Sequence, residues 1–478
     1  MASAAEQLAS NLNWGAIGKA TELKKRLWFT VGALVVFRLG AYIPVPGVDP
    51  HALAEMFAQQ SGGIAGLLDV FSGGSIGRMS VLALSIMPYI SASIIMQILT
   101  TVVPSLEALK KEGEAGRKKI NQYTRYGTVV LAAFQAYGIA VGLESQTASV
   151  GPVVIDPGLF FRFVTVVTLV GGTLFLMWLG EQITARGVGN GVSLIIFAGI
   201  VAALPGALIQ TLELGRTGAL SALFIIALII GVVAVVAVVV FVETAQRRIV
   251  VQYPKRQVGN RMYGGEASHL PLKINTSGVI PPIFASSLLL FPATIASFQG
   301  GAGEPGWVQA IATYLGHGQP LYLLAYVGLI VFFCFFYTTV VFNPTDTADN
   351  LKKNGGFVPG IRPGKRTAEY LDHILGRITF GGAIYLALIA ILPEFLITGF
   401  KVAPIPLIGA GLDNFLTNNN LGWITEGLGL NFYFGGTSLL IIVGVAMDTV
   451  AQVEAQLIMR HYDGFSGPGK GRRIRGRR

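Results

Sequence analysis

Five histidines, one cysteine and a few glycine-rich or basic clusters are the residues of this 478-residue chain whose types suit chemistry. His51, His269, His317, His373 and His461 show no i,i+3 or i,i+4 pairing, the spacing that would put two metal ligands on one helix face. Cys334 stands alone in the apolar run Phe332 to Phe336, so neither a disulfide nor a thiolate metal cluster is expected. Gly360–Ile361–Arg362–Pro363–Gly364–Lys365–Arg366 comes nearest to a phosphate-cradling loop. Its spacing is one residue short, and Arg366 stands where the magnesium-binding hydroxyl is needed. Gly187–Val188–Gly189–Asn190–Gly191 lacks the spacing of a dinucleotide fingerprint and reads as a tight turn. No nucleophile–base pair is evident. No metal site is indicated, and a catalytic triad, whose members are scattered in sequence, stays open on these grounds.

The elements that carry these residues are set by composition. Only 13 % of residues are charged and 52 % are hydrophobic, where soluble domains carry about 25 % charge. That excludes disorder and argues against an ordinary soluble enzyme. A bilayer core takes about 20 mostly apolar residues per helix, and ten candidate spans are present: 27–46, 79–103, 126–144, 159–180, 192–211, 219–242, 277–296, 321–343, 378–398 and 435–459. Residues 222–242 hold no charge, whereas a soluble core helix would keep a polar stripe. Nearly all loop Lys and Arg fall in 1–26, 104–125, 181–191, 244–276, 344–377 and 460–478. The alternate segments hold only Arg78, Arg216 and Lys401. Positive loops stay in the cytoplasm, so both termini are expected there. Inside the spans ionisable groups are sparse. Asp448 lies toward the cytoplasmic end of the last span, Glu144 and Glu394 lie near outer ends, and Arg38 lies within the first span. That weakens the case for an ion-coupled transporter, which carries intramembrane carboxylates as relays. A facilitator of small solutes and an intramembrane enzyme are the rival classes; the first has no use for long basic loops and the second needs a reactive pair.

Three segments do not fit a simple bundle. Residues 62–78, from Gly62–Gly63 to Gly77–Arg78, are moderately apolar but too short and glycine-rich to span. A surface loop and a re-entrant half-helix both fit, the latter where protein or water covers the backbone. Loops 244–276 and 344–377 are long and basic. Alternation over Arg248–Ile249–Val250–Val251–Gln252–Tyr253 predicts a strand. Pro359–Gly360 and Pro363–Gly364 bracket Arg362 and predict a loop tip that presents its guanidinium. Protein docking and anionic-lipid binding both suit these cations, docking better explaining the loop length. The tail Lys470–Gly471–Arg472–Arg473–Ile474–Arg475–Gly476–Arg477–Arg478 suits anionic lipid or a phosphate backbone. Pro281–Pro282, inside the expected span 277–296, suggests a helix that bends or moves as a unit.

Longer strings carry a family resemblance. Phe37–Arg38–Leu39–Gly40–Ala41–Tyr42–Ile43–Pro44–Val45–Pro46–Gly47, Ile86–Met87–Pro88–Tyr89–Ile90–Ser91–Ala92–Ser93–Ile94, Trp178–Leu179–Gly180–Glu181–Gln182–Ile183–Thr184, Asn343–Pro344–Thr345–Asp346–Thr347–Ala348–Asp349–Asn350–Leu351–Lys352–Lys353 and Phe357–Val358–Pro359–Gly360–Ile361–Arg362–Pro363–Gly364 resemble the bacterial SecY family, in order and over all spans. The outer loop 399–434 is longer than the family's, and Asn260–Arg261 stands where the family often has two basic residues.

The resemblance implies an all-α polytopic membrane protein of ten transmembrane helices, in two pseudo-symmetric halves, with a re-entrant plug helix. The halves would be 27–211 and 212–459, between a cytoplasmic segment 1–26 and a basic cytoplasmic tail 460–478. It implies the pore-forming subunit of the protein translocase of the bacterial inner membrane, which conducts unfolded secretory chains and releases hydrophobic segments into lipid. Ile86, Ile90, Val192, Ile196, Ile283 and Ile441 would form a pore ring. Segment 64–78 would be the plug, through Ile64, Leu67, Leu68, Val70 and Phe71. Ser91, Asn275 and Phe284 would line a lateral gate between spans 2 and 7. Lys255, Arg256, Arg261 and Arg362 would dock the SecA motor ATPase or the ribosome. SecE-like and SecG-like subunits, secretory and membrane protein clients and anionic lipids would complete its partners.

Overall fold

The computed structural model describes residues 21–60, 69, 72–144, 147–148, 151–217, 221–253, 256–258, 261–263, 267–299, 319–399 and 436–465. Its helices, in chain order, are α1 (Thr21–Gly40), α2 (Pro50–Gln60), α3 (Met87–Val102), α4 (Pro104–Lys111), α5 (Glu114–Glu144), α6 (Leu159–Arg186), α7 (Gly191–Arg216), α8 (Ala222–Thr244), α9 (Ile280–Gln299), α10 (Pro320–Val341), α11 (Pro344–Lys353), α12 (Lys365–Thr398) and α13 (Gly436–Phe465). Each expected span coincides with one of the longer helices. Among the described residues, seven helices are alone long and apolar enough to cross a bilayer, and α3 with α4, bent by 97°, makes an eighth. α9 is apolar over Ile280–Leu289, and α1 carries Lys24, Lys25, Arg26 and Arg38.

Three features differ from those expected, each for a local reason. α1 ends at Gly40, and Ala41–Ile43 close it as turns, so the first span sits about six residues earlier than 27–46. α3 starts only at Met87, because Pro88 takes its first turn, where a missing N–H costs no helical bond. Residues 79–86 before it are irregular, with Met79 (φ 42°) and Ser85 (φ 50°) in the left-handed region. Their backbone is satisfied within protein: Val45 N–H donates to the Met79 carbonyl (2.9 Å) and Val81 N–H to the Ile43 carbonyl (2.9 Å). Irregular backbone survives at membrane depth only under such cover. The pair Pro281–Pro282 stands at the start of a helix. Both residues fall in the first turn of α9, where the N–H groups lack intrahelical partners anyway.

Other starts follow from capping. The Asn190 side chain accepts from Val192 N–H (3.1 Å) at the head of α7, and Ser221 from Phe224 N–H (3.2 Å) at α8. At α11 Asn343 accepts from Thr345 N–H (3.0 Å), with Pro344 in the first turn. Several hydroxyls inside the spans donate to the preceding turn, as Thr128 does to the Thr124 carbonyl (2.8 Å) and Thr338 to that of Cys334 (2.8 Å), which meets these donors within the helix.

The first five long helices (α1, α3, α5, α6, α7) meet the last five (α8, α9, α10, α12, α13) along two seams. α3 and α5 pack on α9, and α7 packs on α8 and α13. One apolar core runs through both sets, from Phe37 on α1 to Ile441 and Val445 on α13. α8 stands at the rim, with Leu223 81 % and Phe241 72 % exposed, the surface of a helix that meets lipid. α5 and α6 are tied at both ends by ion pairs, Arg125 bidentate to Glu181 (2.7–3.0 Å) and Arg162 to Glu144 (2.6–2.8 Å). Between these two helices β1 (Thr147–Ala148) and β2 (Gly151–Pro152) form a small outer hairpin. The expected strand is present in the loop after α8. There β3 (Gln246–Gln252) pairs antiparallel with β6 (Ala267–Lys273), and β4 (Arg256–Val258) with β5 (Arg261–Tyr263) beyond them.

Candidate functional site

Six branched apolar residues from four places in the chain come together in the shared core. Ile86 is the N-cap of α3 and Ile90 lies one turn on. Val192 and Ile196 are the matching i,i+4 pair in the first turns of α7, Ile283 is in the first turn of α9, and Ile441 is on α13. Ile86, Ile90, Ile196, Ile283 and Ile441 are buried members of one cluster, and Val192 packs against it half-buried. All six side chains are aliphatic. The arrangement can seal a constriction by excluding water, and offers a passing chain only non-directional contacts.

α7 can reach this position because of two glycines. A Cβ on Gly191 would lie 1.9 Å from the Gly180 carbonyl oxygen. The Thr184 hydroxyl bonds both partners, accepting from Gly191 N–H (2.9 Å) and donating to the Gly180 carbonyl (2.9 Å). The preceding turn is held from two other helices. Val188 N–H donates to the Thr30 hydroxyl on α1 (3.1 Å), and Gly189 N–H to the side-chain oxygen of Gln452 on α13 (2.9 Å).

The expected gate residues divide. Ser91 is half-buried on α3, which packs on α9, and the Ser287 hydroxyl of α9 reaches the Met87 sulfur of α3 (3.7 Å). Phe284 is buried on α9 and meets Phe333 (5.7 Å) and Tyr337 (6.4 Å) of α10 edge to face. Asn275 precedes α9, and one of its bonds reaches the end of α8. Its amide donates to Glu243 (2.6 Å) and to the Gly278 carbonyl (3.0 Å), and its oxygen accepts from the Ser277 hydroxyl (3.0 Å).

The two long basic loops, 244–276 and 344–377, form one unit among their described residues. Gln252 and Phe357 exchange backbone hydrogen bonds of 2.9 and 3.0 Å, and Ile249, Leu272, Val358, Leu371, Ile374 and Leu375 share a core beneath them. Arg362 tops this unit. Gly360 (φ 82°) and Gly364 (φ 106°) adopt the left-handed backbone that turns the chain on each side, and the Thr367 hydroxyl holds the Arg362 carbonyl (3.0 Å). The Arg362 side chain is exposed. Arg256 and Arg261 lie on β4 and β5, at opposite ends of the short pairing. Lys255 and Asn260 lie outside the described residues.

The expected plug contacts Ile64, Leu67, Leu68, Val70 and Phe71 also lie outside the described residues. The end of that segment is well defined. Asp69 accepts from Gly77 N–H (2.7 Å), Gly74 N–H donates to the Asp69 carbonyl (2.8 Å), and Ser75 donates to the Ser72 carbonyl (2.8 Å). Burial pushes the Asp69 carboxyl above the usual carboxylate range, opposed by the Gly77 hydrogen bond and the Arg78 charge. Arg38, which the sequence places inside a span with no evident partner, has several here. Its guanidinium donates to the Gly73 carbonyl and to the Tyr42 hydroxyl (3.2 Å). A lone cation within a span was the signal available for finding it.

With this geometry in place, comparison with known proteins is specific. A family described as SecY matches residues 80–450. The chain is 54 % identical over 446 residues to the protein translocase subunit SecY of Escherichia coli strain K12, covering 93 % of this chain and 94 % of that one. It is 52 % identical over 444 residues to the subunit of the same name from Rickettsia conorii, covering 93 % and 96 %. Among solved structures it resembles a protein conducting channel (TM-score 0.63, 19 % identity, covering 94 % and 95 %). It also resembles Sec61 in the canine ribosome-channel complex from the endoplasmic reticulum (TM-score 0.60, 18 % identity, covering 94 % and 95 %). At these identities the two structures speak for the fold alone.

Proposed function

Because the chain belongs to the SecY family, we propose that it is the channel subunit of a protein translocase, a polytopic membrane protein that passes unfolded polypeptides through the apolar ring. The observation that carries this reading is the meeting of Ile86, Ile90, Val192, Ile196, Ile283 and Ile441 in one core drawn from both sets of helices. A ring with no polar contacts fits around many sequences and selects none. Its two sets of helices, 27–211 and 212–459, part along the α3–α9 seam, beside Ser91 and Phe284. A segment in that opening partitions by hydrophobicity: Leu or Ile at a helix centre contributes about −0.3 to −0.6 kcal/mol and Arg or Lys costs about 2.5 to 3.5 kcal/mol. Segment 64–78 blocks the resting pore from outside.

The protein resides in the bacterial inner membrane with both termini in the cytoplasm, as the distribution of Lys and Arg favours. It carries out no covalent chemistry. The joined cytoplasmic unit with Arg362 at its tip receives a SecA motor or a ribosome, and SecE-like and SecG-like subunits pack on lipid-facing helices. Arrested translocation intermediates test the ring. A stalled secretory chain is expected to crosslink to photoprobes at Ile90 and Ile283 and not to one at Phe241, on the outer face of α8. Crosslinks confined to Phe241 would remove the pore assignment. Deleting 65–76 is expected to leave a complex that assembles and leaks ions at rest. A conductance equal to that of the intact channel would show that the segment is no seal.

A further inference from the structure

Arg38 is the one basic residue in the apolar part of the outer half of α1, and its surroundings give it a task. Its guanidinium donates to the backbone carbonyl of Gly73, and a second nitrogen donates to the Tyr42 hydroxyl (3.2 Å). The guanidinium carbons of Arg38 and Arg78 lie 5.1 and 4.3 Å from the centre of the Tyr42 ring, within range of cation–π attraction. Gly73 is in the left-handed region (φ 69°), and a Cβ there would meet the Gly199 Cα of α7 at 3.0 Å and Arg38 at 3.2 Å. Residues 72–78 are thus pinned between α1 and α7, while Asp69, Ser72 and Ser75 bond the segment to itself.

We infer that Arg38 is a positioning residue that latches the 72–78 segment to α1 and thereby sets how often the channel rests sealed. The inference depends on the channel reading above, with 64–78 as the blocking segment. The bond reaches a main-chain carbonyl, so the latch does not depend on which side chains the segment presents. A hydrogen bond from a guanidinium is stronger than one between neutral groups, and a cation held at this depth is retained only where it has partners. Tyr42 steadies the guanidinium through its hydroxyl, and Arg78 adds a second cation at the same ring.

The test uses the assembled translocase in planar bilayers, with Ser75→Cys labelled from outside by a membrane-impermeant maleimide. Arg38→Met is expected to raise both resting conductance and labelling at position 75 about tenfold, the scale of one charge-assisted hydrogen bond. Arg38→Lys, which keeps one charged donor, is expected to fall between, and Tyr42→Phe to give a smaller rise. Recovery of intact complex from detergent separates a loosened segment from a failure to fold, and a wild-type thermal midpoint with raised labelling supports the latch. If deletion of 65–76 leaks but a folded Arg38→Met variant stays at the wild-type level in both readouts, the latch is wrong and the channel reading stands. If neither leaks, the blocking role itself fails.

Discussion

Arg362→Glu is expected to lower motor-driven export by about two orders of magnitude while the protein still inserts and assembles. The substituted side chain is exposed and its backbone is held independently, by two left-handed glycines and by the Thr367 hydroxyl. The fold therefore has little reason to respond. The partner does: reversing a charge that a docking partner meets loses its favourable pair and sets like charges together, which costs about 3 kcal/mol, a hundredfold in affinity. Arg362→Lys is expected to restore only part of the rate, since an ammonium lacks the planar fork that pairs with two oxygens. Export of a secretory precursor into inverted vesicles, measured with motor and ATP across a range of salt, checks this. A rate within twofold of wild type for Arg362→Glu would rule out docking at this tip.

The second large effect is on assembly. Gly191→Ala places a Cβ 1.9 Å from the Gly180 carbonyl oxygen, where the obstacle is backbone and cannot rotate away. Overpacking ordinarily costs about 1–3 kcal/mol, and here it also disturbs the Thr184 bonds to both partners. We expect a cost at the top of that range, about 3 kcal/mol, with a markedly lower thermal midpoint in detergent and loss of crosslinks at Ile90, because Val192 and Ile196 follow directly on the displaced turn. Gly171→Ala on α6 is the control. Nothing lies within 4 Å of its added Cβ, so the change is expected to be neutral or slightly stabilising. Equal midpoints for the two variants would contradict the close approach of α6 and α7.

Much of this architecture was legible in the sequence, because a bilayer imposes one length and one polarity on each helix. The expected spans coincide with helices, and the alternation at Arg248–Tyr253 predicted β3. Charge alternation pointed to topology without any structure. What stayed hidden needs contacts distant in sequence. Gln252 and Phe357 lie far apart in the chain, so nothing local announced that the two long basic loops are one unit. Glu144 was visible as a charge near a span end, but its pairing with Arg162 was not. Prolines misled because their effect depends on register: Pro281–Pro282 within a span implies a bend, and the same residues in a first turn imply a start. The ring residues are the extreme case. An isoleucine in a span is ordinary, and only family resemblance set these six apart.

That core has a thermal consequence. Ile86, Ile90, Ile196, Ile283 and Ile441 are buried in the core, and opening a pore there, as proposed, would wet some of their surface. Wetting apolar surface raises heat capacity, so the opening equilibrium should follow a curved van't Hoff plot. The hydrophobic attraction that holds such a core together weakens on cooling. The channel's resting tightness should therefore peak at an intermediate temperature and decline on either side of it, as the stability of a folded domain does.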